Sequence, residues 1–198
     1  MLKVLITCLD NYSDDLIFNL SSEQINKALK YKIDDDKKRS ILSSSLLNHV
    51  LKNVGLTYDS IIYNEYGKPY LRNNELYFNL SHSGKYIVCA VSNYEVGIDI
   101  EKIRPKSDLV INKCFTKEEQ NIVYDDNTFT HIWTLKESYI KQIGTGLKTK
   151  LDSFSVYENG NIMNIDDLMF KTLKIEDYYL SICHNVKEKI QFEYLNLC

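Results

Sequence analysis

Val96-Gly97-Ile98-Asp99-Ile100-Glu101 is the stretch on which the fold of this chain turns. In an extended segment successive side chains alternate between faces, so Ile98 and Ile100 point one way while Asp99 and Glu101 point the other. The result is a carboxylate pair on a rigid strand. Downstream, Trp133-Thr134-Leu135-Lys136-Glu137-Ser138-Tyr139-Ile140-Lys141 reads as helix, with Glu137 and Lys141 on one face a turn beyond Trp133. If strand and helix pack together, three carboxylates and a lysine converge. Hard oxygen ligands in small number suit Mg²⁺, which keeps several waters and binds a few carboxylates plus substrate phosphate.

Outward from this strand, residues 77–80 and 86–91 read as two further strands, and Ser92-Asn93 supplies a tight connection that predicts an antiparallel hairpin with 96–100. Gly67-Lys68-Pro69 punctuates the chain as a turn. Residues 4–9 read as a first strand. Ser21 and Ser22 are candidate N-caps for a short helix toward Tyr31, and Asp34 for a longer one toward Val54. In that longer helix Leu42, Leu46, Val50 and Val54 recur every four residues, and Gly55 stands where a left-handed stop is needed. After Arg104-Pro105 the pattern restarts, with helices around 109–113, from Thr116, and over 130–143, then strands near 154–157 and 178–184. Both parts put helices before strands. The sequence therefore predicts an α+β fold of two similar halves, 1–103 and 104–198, with a ligand cleft at their interface.

The bulk numbers agree with a globular protein. The 198 residues are 44% hydrophobic and 26% charged, enough to bury a substantial core. A net charge of −3 argues against a general nucleic-acid binder. The five cysteines are scattered without C-x-x-C spacing and read as reduced thiols. No apolar run is long enough for a signal peptide or a bilayer span, so a cytoplasmic protein without a membrane partner is expected. Only three of the 24 basic residues are arginine, so a single lysine is weak evidence for a site.

Each candidate also has a plainer explanation. Asp99 and Glu101 could form a solvated strand face, and Glu137 with Lys141 a surface ion pair. On the helix, Ile132, Trp133, Leu135, Tyr139, Ile140 and Ile143 form one apolar arc with Lys136 in its middle. Its ammonium either snorkels to water or reaches into an anion-filled cleft. Thr116 and Glu119 fit a helix-starting capping box. Ser81-His82-Ser83-Gly84 lacks the nucleophile elbow of a serine hydrolase and suits donation to a ligand phosphate. Lys37-Lys38-Arg39-Ser40 either holds phosphate or faces water.

Taken in order, Gly67-Lys68-Pro69, Phe78-Asn79-Leu80-Ser81-His82-Ser83, Gly97 to Glu101 with Pro105 after it, Phe115 to Glu119, and Trp133-x-x-Lys136-Glu137-x-x-x-Lys141 resemble the 4'-phosphopantetheinyl transferase superfamily, in its Sfp-type branch of surfactin-synthetase-activating enzymes. Weaker similarity continues toward both ends, including residues 151–156.

The resemblance implies two α+β halves related by pseudo-twofold symmetry, with coenzyme A bound across their interface. It implies Asp99, Glu101 and Glu137 as Mg²⁺ ligands. Lys68, Ser81, His82, Lys136 and Lys141 would contact the coenzyme's phosphates and neighbouring groups. Lys27, Arg39 and Ser40 fall where the family grips the adenosine 3'-phosphate, and Gln24 departs from a second lysine there. The implied reaction moves 4'-phosphopantetheine from coenzyme A to a serine of an acyl, peptidyl or aryl carrier protein. Lys141 would stabilise the leaving side. Glu137, directly or through a metal-bound water, is the first choice of base, and Glu119 the rival. The carrier could serve nonribosomal peptide, polyketide or fatty-acid synthesis, and a monomer is expected. The alternatives are an Mg²⁺-dependent phosphohydrolase or nuclease acting on a nucleotide-like substrate, and a non-catalytic protein that keeps the fold alone.

Overall fold

The computed structural model describes residues 1–72, 76–158, 160–187 and 189–197. Strand β1 (Leu2–Cys8) is followed by helices α1 (Ser22–Leu29) and α2 (Asp34–Asn53). A small hairpin of β2 (Ile61–Tyr63) and β3 (Pro69–Leu71) precedes the longer strands β4 (Tyr77–Ser83), β5 (Tyr86–Ser92) and β6 (Val96–Lys102). Helices α3 (Asp108–Cys114), α4 (Lys117–Gln120) and α5 (Asp126–Ile143) come next. Five strands complete the chain: β7 (Tyr157–Glu158), β8 (Asn161–Ile162), β9 (Met169–Ile175), β10 (Tyr178–His184) and β11 (Gln191–Tyr194). The mixed α+β class is as the sequence predicts.

One sheet runs β11-β1-β5-β4 and a second runs β6-β10-β9. Strand β5 is buried along its whole length because both of its faces are covered. Ile87, Cys89 and Val91 join Leu42, Leu46 and Val50 of α2 in one core. The alternate residues Tyr86, Val88 and Ala90 meet Ile98 and Ile100 of β6 and Leu180 and Ile182 of β10 in another. The layers are therefore α2, first sheet, second sheet and α5. Period-two alternation alone assigns β5 to both cores.

The predicted hairpin of β5 with β6 does not form. Strand β5 pairs with β1 on one edge and β4 on the other, so it has no edge left, and β6 pairs antiparallel with β10. Instead β6 lies alongside β4 with no backbone ladder between them. Asn79 Oδ1, Ser81 Oγ and Ser83 Oγ, all on one face of β4, accept the backbone N–H groups of Ile98, Ile100 and Lys102 at 2.9, 3.3 and 3.1 Å. This side-chain seam joins the two sheets. Behind it α5 packs closely on β6, because a Cβ on Gly97 would fall 2.0 Å from the Ser138 carbonyl oxygen. Only glycine permits that approach.

Other expectations shift locally. Ser21 caps α1 in a full capping box with Gln24. Asp34 is the first residue of α2 rather than its cap; Ile33 holds the cap position, and Asp34 pairs with Lys38 one turn on. Val54 leaves the core stripe, 46% exposed, as Gly55 turns the chain at φ 72°. Helix α5 begins at Asp126, capped by the Asp125 side chain, earlier than predicted. The strand expected near 154–157 shrinks to Tyr157–Glu158, because Phe154 O and Val156 N–H are engaged by the side chains of Lys136 and Glu119. Strands β2, β3, β8, β9 and β11 are additional to those expected. Cys8, Cys89, Cys114 and Cys183 are free thiols, and Cys198 lies outside the described residues. Among the described residues, no helix is long and apolar enough to cross a membrane.

Candidate active site

A cleft of about 590 Å³ opens between α2 and the end of α5, over the β4/β6 seam. Its floor carries Ser81, Asp99 and Glu101; α5 contributes Trp133, Glu137 and Lys141. The opposite wall presents Lys27 from α1, Tyr31 from the connection that follows it and Ser40 from α2. Alternation on β6 puts Ile98 and Ile100 in the inter-sheet core, which forces Asp99 and Glu101 toward this cleft. Helical spacing puts Glu137 and Lys141 on the facing side of α5.

Within the cleft, Lys141 Nζ donates to Asp99 Oδ1 at 2.7 Å and to Ser81 Oγ at 2.9 Å, and Ser81 Oγ donates to the same Asp99 oxygen at 2.9 Å. Ser83 Oγ donates to Glu101 Oε2 at 2.8 Å. Burial, then the neighbouring charge of Asp99, pushes the carboxyls of both Glu101 and Glu137 above the ordinary carboxylate range. Arg104 counters this in part. Its guanidinium stacks 5.3 Å over Trp133 and 5.4 Å over Phe129 and favours the charged form of both glutamates. Sequence reasoning missed Arg104, although a cation soon after the acidic strand is a signal of its own. His82 lines the cleft, and partial desolvation, then Arg39 and Lys141, hold its imidazole below its ordinary pKa.

The donor chemistry fits a hard divalent cation. Asp99 Oδ2 is buried with no hydrogen-bond partner, and two more carboxylates whose charge is disfavoured face the same cleft. Among the described residues no three His, Cys, Asp or Glu groups already close into a metal cage. Mg²⁺ does not need one, since it takes a few carboxylates and completes its shell with phosphate and water.

Four expected residues, Lys136, Glu119, Lys68 and Arg39, do not line the cleft. Lys136 and Glu119 form an ion pair of 2.8 Å with both side chains 0% exposed. The Lys136 ammonium also donates to Leu151 O at 2.7 Å and Phe154 O at 2.6 Å, so its partners are internal groups of the protein, not water or an anion bound in the cleft. Glu119 accepts from Thr116 N, Val156 N, Ser155 Oγ and Lys136, which uses its acceptor capacity. The ammonium of Lys68 lies on Gln142 O at the end of α5, 2.7 Å away, and on Glu95. Arg39 donates to Gly84 O at 2.7 Å and pairs with Asp36 beside His82. Gln24 is 1% exposed, bonded to Asn48 and lining a separate cavity. Ser43 and Ser44 line the cleft beside Ser40, and only their i, i+3, i+4 spacing on α2 could have marked them.

Fold and site together define an α+β protein with an acidic, lysine-bearing cleft. Residues 95–183 match the family model of the 4'-phosphopantetheinyl transferase superfamily, and residues 12–94 match that of the 4'-phosphopantetheinyl transferase N-terminal region. The chain is 37% identical over 153 residues to a 4'-phosphopantetheinyl transferase of Bacillus subtilis, covering 72% of this chain and 68% of that protein. It is 33% identical over 174 residues to the 4'-phosphopantetheinyl transferase gsp of Aneurinibacillus migulanus, covering 80% and 73%. To the 4'-phosphopantetheinyl transferase Sfp of Bacillus subtilis (strain 168) it is 33% identical over 182 residues, covering 83% and 81%. The chain belongs to the 4'-phosphopantetheinyl transferase superfamily, a family of enzymes. Nothing in these similarities supports the phosphohydrolase alternative.

Proposed function

We propose that this enzyme moves the 4'-phosphopantetheine group of coenzyme A onto a serine hydroxyl of an apo acyl or peptidyl carrier protein, releasing adenosine 3',5'-bisphosphate. The observation that carries this reading is the Lys141–Asp99–Ser81 cluster beside Glu137, across one cleft from Lys27 and Ser40. Donors at both ends of the cleft suit a ligand with phosphates at two separated positions.

Asp99, Glu101 and Glu137 would hold Mg²⁺, which when bound neutralises charge on the pyrophosphate. His82, a neutral imidazole with one N–H, donates to the pyrophosphate, while Ser81, whose one proton lies on Asp99, holds that carboxylate and the Lys141 ammonium in place beneath it. Lys27 and Ser40 face the adenosine 3'-phosphate, with Arg39 at their side. Glu137 takes the proton of the carrier serine, whose oxygen forms a bond to the β-phosphorus as the bond to the bisphosphate oxygen breaks. Lys141 stabilises the negative charge that grows on the leaving side. Glu119 and Lys136 enter as supports of α5, and Lys68 as a tether of its end. The proposed halves are 1–103 and 104–198, with β6 paired into the sheet of the second half and β11 into that of the first. A cytoplasmic monomer serving carrier proteins, with neither nucleic acid nor membrane as partner, completes the proposal.

Intact-protein mass spectrometry of apo carrier proteins incubated with the enzyme, coenzyme A and Mg²⁺, with an EDTA control, tests it. A metal-dependent gain of one phosphopantetheine on the carrier serine is the expected result. Cleavage of coenzyme A without any carrier gaining mass would overturn it.

A further inference from the structure

We infer that Ser83 is a positioning residue that orients Glu101 toward the divalent cation, a role that rests on the proposed metal reading of the cleft. The seam between β4 and β6 repeats one bonding pattern twice. Ser81 Oγ accepts the N–H of Ile100 and donates to Asp99; two residues on, Ser83 Oγ accepts the N–H of Lys102 and donates to Glu101. Because the backbone N–H occupies an acceptor lone pair, the hydroxyl proton of each serine is directed onto the carboxylate of the preceding residue on β6.

The two clamps differ in redundancy. Asp99 is also held by Lys141, whereas Ser83 is the only hydrogen-bond partner of Glu101 among the described residues. Glu101 also has one more side-chain torsion than Asp99, so it has more rotamer freedom to lose when it binds an ion. A donor fixed to the β4/β6 seam removes part of that freedom beforehand. It occupies Oε2 and leaves the second oxygen of Glu101 uncommitted. Hydrogen-bonded supports of metal-ligating side chains change metal affinity by roughly 10–100-fold when removed. Ser83 is therefore more than a thread in the seam.

Isothermal titration of Mg²⁺ into the coenzyme A complex, without carrier protein, tests this on wild type, Ser83→Ala and Ser83→Thr. Ser83→Ala is expected to weaken Mg²⁺ binding about tenfold, and Ser83→Thr, which keeps the hydroxyl, to restore it. Coenzyme A affinity measured in EDTA stays unchanged in both. Should Ser83→Ala fail to fold, Ser83→Cys, close in size with a weak donor, is read in its place. Wild-type Mg²⁺ affinity in the alanine or cysteine variant overturns the inference. So does a threonine variant as weak as alanine, or an equal loss of coenzyme A affinity in EDTA. A wild-type complex that takes up no Mg²⁺ instead overturns the metal reading itself, and the Ser83 role with it.

Discussion

Lys136 and Glu137 are neighbours on α5 whose side chains, about 100° apart around the helix, serve different surroundings. The Lys136 ammonium is sealed against Glu119 and the carbonyls of Leu151 and Phe154, while Glu137 lines the cleft. The same turn of helix thus anchors residues 151–156 and presents the proposed base. Lys136→Met leaves Glu119 charged and buried without its cation, and is expected to cost about 3–5 kcal/mol of stability in urea unfolding. Coenzyme A affinity of the folded fraction should stay near wild type. A selective loss of that affinity with unchanged stability would return Lys136 to phosphate binding. The Lys136→Met/Glu119→Leu pair should recover part of the loss, because a buried pair replaced by apolar groups is often tolerated.

Replacing Glu137 separates function from stability. Glu137→Gln should lower carrier modification by roughly 10²–10⁴-fold. The folded pKa of Glu137 lies above its unfolded value, so ionising it near neutral pH works against the fold. Its neutral isostere is therefore expected to raise Tm in EDTA. Near-wild-type turnover in the purified variant would remove Glu137 from the mechanism.

Lys141→Ala should reduce kcat by roughly 10²–10³-fold, the range for loss of one transition-state charge stabiliser. Single-turnover measurements at saturating coenzyme A separate this from weaker binding. If only KM rises, Lys141 binds the ground state and does not stabilise the leaving group.

Much of this site was legible in the sequence because strand alternation leaves Asp99 and Glu101 nowhere else to point once Ile98 and Ile100 are buried. Helical spacing did the same for Glu137 and Lys141. What escaped were long-range partnerships. Nothing local reveals that Lys136 meets Glu119, that β5 is already flanked on both edges, or that Lys68 ties down the end of α5. Short strands such as β2 and β3 carry too few residues for alternation to show, and β11 exposes most of its side chains.

His131 is expected to make the fold acid-sensitive. Burial lowers its pKa from 6.5 to about 4, where the ring stacks on Tyr179 and bonds to Thr172. Between about 4 and 6.5 the unfolded chain binds the proton that the folded chain refuses. Stability due to a neutral His131 is therefore full above 6.5 and falls as pH drops toward about 4. Urea midpoints measured across that window should slope upward with pH, and more shallowly in His131→Phe. Equal slopes in the two proteins would place the acid sensitivity elsewhere.

Strand β11 runs parallel to β1, with Gln191 beside Lys3 and Tyr194 beside Ile6. During synthesis, β1 emerges long before β11 and gains this neighbour only after all the residues between the two have been made. Until then one edge of β1 is an unpaired template, open to pairing with other nascent chains. Refolding from denaturant meets the same obstacle as a long-range closure that local helices cannot hasten. The cleft can form before β11 arrives, because both strands of its seam, β4 and β6, and the helix α5 beside them all precede it.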